Sequence, residues 1–210
     1  MSDDIQQTFK ARKTVLEMLV DRGYDVPKEQ FDVDIETFRY LYNKNSCDLF
    51  STKKDDANQK IYVHFILSSQ IKPNAIRGTA TQIIKTYFDG DGTINNTNSE
   101  LIFVLKKQPN NSILKIMKEV NFRICEFFWL DILQFNITHH SLVPKHVKLS
   151  QDIVDQLIER FKLKSIYQLP HIHRTDPVVK YFNFKSGSVL GIMNRPSQTC
   201  VDFSTYRCVK

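Results

Sequence analysis

No run of about eighteen apolar residues, the minimum for a membrane-spanning helix, occurs in this chain. Its most apolar stretch, Ile124 to Phe135, is interrupted by Glu126 and Asp131. With 6 glycines and 7 prolines in 210 residues, a fibrous or linker-like chain is excluded as well. The 4 cysteines, Cys47, Cys125, Cys200 and Cys208, lie far apart in a chain large enough to build its own core. That usage predicts free thiols in a reducing compartment, not a disulfide framework. The opening Met1-Ser2-Asp3-Asp4 is acidic where a secretory signal is basic and then apolar, so no secretion is expected.

Catalytic signatures are equally scarce. There is no G-x-S-x-G, no phosphate-binding P-loop, no G-x-G-x-x-G opening a helix and no H-E-x-x-H. Cys125 stands in an aromatic, apolar run that predicts an inert thiol. A metal-dependent nuclease needs a second acid one residue from a lysine, and Glu100 is too far from Lys106 in ELIFVLK. Asp89 to Glu100 (DGDGTINNTNSE) mimics a calcium loop but has Ile94 where the sharp turn requires glycine, so it reads as an acidic surface loop. His139, His140, His146, His171 and His173 cluster in sequence without a cysteine pair or acidic ligand at metal-like spacing. The chain is expected to be no enzyme and to carry no metal or cofactor.

What is present begins with charge. Residues 1–137 hold 18 Lys+Arg against 18 Asp+Glu, whereas residues 138–210 hold 11 against 5, which accounts for the whole net charge of +6. A neutral part followed by a basic third suggests two modules, 1–137 and 138–210.

Apolar spacing predicts a helix from Ile5 to Arg22, with Ile5, Phe9, Leu16, Leu19 and Val20 on one face and Gly23 as C-cap. A second helix starts at Asp34 and carries Phe38, Leu41 and Tyr42. Lys44 to Lys60 reads as loop. Ile61–Leu67 and Leu101–Leu105 read as buried strands, with a third within Phe127–Ile137. Helices are predicted between them, over Asn74–Phe88 and from a Ser112 cap through Val120. Alternating strands and helices argue for a mostly parallel sheet. Beyond Thr138 come an extended stretch over 139–148 and a helix capped by Ser150. A short helix opened by Asp176-Pro177 follows, then strands near 188–193 and 202–209.

A string of short motifs then appears in one order: HSLVPKH from His140 to His146, Leu149-Ser150, YQLP from Tyr167 to Pro170 and TDPV from Thr175 to Val178. Tyr181, Ser186-Gly187, RPS from Arg195 to Ser197 and Tyr206-Arg207 complete it. This string resembles the C-terminal assembly domain of the fifth subunit shared by eukaryotic RNA polymerases I, II and III, itself similar to a stand-alone subunit of the archaeal RNA polymerase. RKTVLEM from Arg12 to Met18 and DRGY from Asp21 to Tyr24 resemble the eukaryotic subunit's N-terminal jaw. The chain departs from the family at Asn183, where glycine is common, and across Ser197 to Asp202 (SQTCVD), which lacks the family's acid and glycine. Such drift fits a divergent lineage, cellular or viral.

The resemblance implies a non-catalytic subunit of a DNA-directed RNA polymerase. Its fold would be a three-layer α/β/α, nuclease-like jaw followed by a small α+β assembly domain. Partners would be the largest subunit, its neighbours and, weakly and without sequence preference, downstream duplex DNA; no membrane is involved. Partner contacts are expected from His140, Pro144, Lys145, His146, Pro170, Asp176, Pro177, Arg195, Ser197, Tyr206 and Arg207. Lys10, Arg12 and Lys13 are the DNA-proximal candidates. The location would be the nucleus for a cellular protein, or a virion or cytoplasmic transcription site for a viral one. The competing reading is a free-standing basic nucleic-acid-binding module, with Tyr181, Phe182 and Phe184 beside Lys180 and Lys185 as its aromatic surface.

Overall fold

In a computed structural model the chain divides into two compact units, Met1–Phe135 and Asn136–Lys210. Residues 2–68, 71–88, 99–116, 125–193 and 204–210 are described.

The first unit is a four-stranded sheet in the order β1-β2-β3-β4: Leu49–Thr52, Lys60–Ile66, Glu100–Leu105 and Cys125–Trp129. β2, β3 and β4 run parallel, as alternation with helices requires, while β1 is antiparallel to β2. β1 corrects the reading of Lys44–Lys60 as loop. It has four residues, only Leu49 and Ser51 face inward, and a polar run precedes it, so no periodicity betrays it. β4 begins at Cys125, ahead of the expected Phe127, and a 3₁₀ turn over Leu130–Leu133 follows.

Register decides which residues share a face. Tyr62, Leu101, Phe103, Leu105, Cys125 and Phe127 form one core with Ile76, Ala80, Ile83 and Ile84 of α3 (Pro73–Tyr87) and Ile113 of α4 (Asn111–Ile116). Ile61, Val63, Phe65, Ile102, Val104 and Phe128, on the opposite face, are equally buried. Arg22, directly after α1 (Ser2–Asp21), bonds Glu100 and Glu126, whose side chains alternate onto this second face. α1 buries Ala11, Val15, Leu16, Met18 and Leu19, and Phe9 packs on Phe38 of α2 (Ile35–Asn43) at 5.3 Å. Val20, expected on the buried face, is 39% exposed, because the stripe turns through Met18 instead.

Three local stops follow from side-chain chemistry. Gly23 at φ 87° closes α1, its N–H donating to Val20 O at 2.9 Å. Asp34 caps α2 by accepting from Thr37 N at 2.9 Å. At α4 the capping side chain is Asn110, which accepts from Ile113 N at 3.0 Å, not the predicted Ser112. Met117, Val120 and the calcium-like segment from Asp89 through Asn98 lie outside the described residues.

The second unit is an α+β arrangement with sheet order β5-β7-β8-β6: Lys145–Lys148, Val189–Met193, Ser204–Val209 and His171–Ile172. β7 is antiparallel to both neighbours, and β6 is parallel to β8. α5 (Gln151–Phe161) covers one face through Val154, against Leu169, Val189 and Cys208. Val179 of α6 (Pro177–Phe182) joins Ile172, Leu190 and Val209 on the other. Ser150 holds the N-cap position of α5 without a side-chain bond.

Candidate partner-binding surfaces

The basic unit presents its candidate contacts in two runs, and many are committed to local bonds. His140 Nδ1 accepts from Leu142 N at 3.2 Å, fixing a turn whose tip, Leu142, is 84% exposed. His146 Nδ1 lies 2.8 Å from Pro144 O, so its Nε2 is the nitrogen left to face a partner. Lys145 and Lys148 stand exposed at the ends of β5, which among the described residues pairs with β7 alone. Unpaired strand edges and exposed cations together form a surface suited to an extended or acidic partner segment.

In the second run Pro170 is exposed, while its carbonyl accepts from Cys208 N at 2.9 Å. Asp176 faces inward: its Oδ1 accepts from Val178 N at 2.9 Å and Val179 N at 3.3 Å, capping α6. Pro177 is the exposed first residue of that helix, where its missing N–H costs nothing. Tyr206 packs against the α5 face with Phe161 at 6.3 Å. Arg207 Nη1 donates to His171 O at 3.3 Å, tying β8 to β6. Arg195, Ser197 and the changed segment to Asp202 lie outside the described residues. Tyr167, which opens the second run with the YQLP motif, is 60% exposed.

The aromatics expected to form a free nucleic-acid binder's surface are engaged in local packing. Tyr181 is 4% exposed and accepts from Asn136 Nδ2 at 2.9 Å. Phe182 stacks on Phe184 at 5.2 Å, and Phe184 packs on the core. Asn183, replacing the family's glycine, adopts the left-handed conformation at φ 52° that asparagine tolerates best after glycine.

On α1 the DNA-proximal trio is broken up. Lys10 and Lys13 are exposed, but Arg12 is 5% exposed and its guanidinium donates to Gln30 O at 3.2 Å and to Gln30 Oε1. Burial pulls its pKa below the ordinary arginine range. Arg12 is thus a structural clamp between α1 and the turn at Lys28–Gln30, which corrects its assignment as a DNA contact. Residues one and two positions away on a helix point elsewhere, which separates Lys10 and Lys13 from it.

The acids have structural partners too, and the thiols of the first unit are buried. Glu100, the last position of the calcium-like loop, bonds Arg22 Nη1 at 2.8 Å. Lys106, of the failed nuclease spacing, bonds Asp4 at 2.8 Å. Cys125 is buried and burial pushes its thiol up to about 12, well out of the nucleophilic range. Among the described residues no three His, Cys, Asp or Glu side chains converge as a metal site needs.

With this geometry in place, two family models match the chain in order. "RNA polymerase Rpb5, N-terminal domain" covers residues 2–83, and "RNA polymerase Rpb5, C-terminal domain" covers 135–209. The chain belongs to the Rpb5 family of RNA polymerase subunits. It is 31% identical over 221 residues to the Caenorhabditis elegans DNA-directed RNA polymerases I, II, and III subunit RPABC1, covering all of both chains. The Dictyostelium discoideum subunit of the same name is 32% identical over 99% of this chain and 100% of its own. The Arabidopsis thaliana DNA-directed RNA polymerases IV and V subunit 5B is 30% identical over 99% of this chain and 92% of its own. The Rpb5 C-terminal match begins at the last residue of the first compact unit, so the family's division and the physical one coincide.

Proposed function

We propose that this chain is a non-catalytic structural subunit of a multisubunit DNA-directed RNA polymerase. Its second unit docks on the largest subunit, and its first, a three-layer nuclease-like jaw, lies near downstream DNA. The observation that carries this reading is the pair of Rpb5 domain matches, in order and over both units, together with relatives aligned end to end.

The docking surface is assigned to the two runs 140–148 and 167–181. Its rigid parts support this: Pro144, Pro170 and Pro177 limit backbone freedom, and the turn at His140 holds Leu142 forward, so little ordering entropy is lost on binding. His140, Lys145 and His146 supply polar contacts around the apolar Leu142 and Tyr167. For a cellular protein of this kind the place of action is the nucleus; a virion or cytoplasmic site follows only for a viral copy.

DNA contact by the first unit is weak and directed at the phosphate backbone. Its balanced charge leaves little net phosphate neutralisation, and Lys10 and Lys13 are the remaining local cations on α1. Tagged full-length chain, purified from its own cells, should recover the polymerase's large subunits stoichiometrically. The isolated chain should bind duplex no tighter than roughly 10⁻⁴ to 10⁻⁶ M at physiological salt. Tight duplex binding without polymerase recovery would establish the free-standing nucleic-acid-binding module instead.

A further inference from the structure

β2 ends at Ile66 and α3 begins at Pro73, and beside this crossover the first unit has an open cavity of about 280 Å³. Ile66, Ala75 and Ile76 supply apolar wall, and His64, Lys72 and Thr79 supply polar wall. The carboxyl end of a parallel strand, where a helix starts, is the place at which open α/β sheets hold ligands. A mainly apolar cleft with a few convergent polar groups is also the usual composition of a small-molecule site.

The histidine in this wall is held from behind. Asp48 precedes β1, one step beyond the Leu49↔Val63 pair, and so stands across from His64. Its Oδ2 lies 2.6 Å from His64 Nδ1 and accepts from Tyr62 OH at 3.0 Å, while Oδ1 accepts from Phe65 N at 2.9 Å. A carboxylate engaged three ways fixes the ring with Nδ1–H towards Asp48 and leaves Nε2 for a ligand. Phe103 packs edge-on to the ring at 6.0 Å, and the histidine side chain is 26% exposed. Lys72 adds a cation at the N-cap position of α3, where no side chain bonds the helix end. Asp48 lies behind the ring and Lys72 stands in the lining, so the cavity wall itself favours an anion.

We infer that this cavity binds a small carboxylate with a short aliphatic body. The carboxylate sits between His64 Nε2 and Lys72, and the body lies on Ile66, Ala75 and Ile76, with Asp48 bonded to the far side of the ring. The site is independent of subunit docking and uses none of the residues assigned to it. Its ligand is either a free short-chain acid or the carboxy terminus of a peptide ending in an aliphatic residue.

The test is a titration of the full chain with n-butyrate and, separately, with N-acetyl-valine, followed by the histidine Cε1–Hε1 resonances. The His64 resonance is assigned by its loss in His64→Asn. It should shift saturably at millimolar ligand while the other histidines stay put. Asp48→Asn should weaken binding about tenfold by removing a charge-assisted hydrogen bond. Ala75→Leu, at an exposed helix position, should fill the cavity and abolish the shift without lowering the unfolding midpoint. Stronger binding of N-acetyl-valine assigns the ligand as a peptide terminus, and stronger binding of butyrate as a free acid; either supports the site. A His64 resonance that stays still, shifts only linearly, or shifts equally in Ala75→Leu overturns it.

Discussion

Arg22 and Glu126 lie 104 residues apart in sequence, yet Nη2 and Oε2 are 3.0 Å apart, with 3% and 14% of their side chains exposed. The same guanidinium bonds Glu100 at 2.8 Å. One cation at the end of α1 therefore ties together the starts of two parallel strands. Burial alone would depress the arginine's pKa, and the two carboxylates more than reverse that. Such a network specifies register at least as much as it stabilises.

Removing one member should expose the cost of the others. Glu126→Ala is expected to lower stability by about 2–3 kcal/mol, since Arg22 keeps Glu100, and Arg22→Met by more than about 3 kcal/mol, since two carboxylates then lose their cation. Urea denaturation of the full chain checks both, and equal, small effects would contradict the network.

The first helix offers a sharp contrast between neighbours. Arg12→Ala should cost about 2–3 kcal/mol, because a buried guanidinium and its two bonds to Gln30 disappear. Lys10→Ala and Lys13→Ala should each change stability by less than about 0.5 kcal/mol. Their effect should appear instead as a reduced salt dependence of DNA binding. Thermal denaturation and duplex titration separate the two classes.

Much of this was legible in the chain, and the misses share a cause. α2, α3, α5 and α6 announce themselves by apolar spacing, and Asp34, Gly23 and Asp176-Pro177 mark helix ends. β1 did not, because a four-residue edge strand with two inward side chains has too few positions to display a period. Without β1, Asp48 is hidden too, since its pairing with His64 exists only once β1 lies beside β2. Arg12 is hidden for a different reason: a cation between two lysines looks like part of a basic patch, and only Gln30, eighteen residues on, shows that it is internal. The C-terminal motifs revealed the family but not the roles of single residues. Asp176 and Arg207 serve the fold, as their bonds to local backbone show.

The thiols predict an alkaline limit. Burial raises Cys47 to about 11 and Cys125 to about 12, against ~8.5 for an unfolded thiol. A raised folded pKa means that the fold favours the protonated form. This contribution is intact below about pH 8.5 and is lost as the pH climbs towards 11. The denaturation midpoint should therefore fall across that window, and less steeply in Cys47→Ala. At pH near 7 maleimide should leave Cys47, Cys125 and Cys208 unlabelled until the chain unfolds, since all three are buried.

A stabilising change is available at the end of α5. Lys162 holds a left-handed conformation, φ 51° and ψ 43°, where a side chain is disfavoured. Lys162→Gly should raise stability by about 0.5–1 kcal/mol, visible as a higher midpoint in thermal denaturation. A lower midpoint would mean that the lysine side chain contributes more than its backbone strain costs.

Assembly into polymerase through the second unit is the central claim, and affinity purification from cells expressing tagged variants tests it most directly. The quantity measured is the molar ratio of the largest polymerase subunit to tagged chain, for the whole chain and for fragments 136–210 and 1–135. A ratio near that of the whole chain for 136–210, with none for 1–135, is the predicted result. Recovery of the large subunit by 1–135 but not by 136–210 would contradict the account.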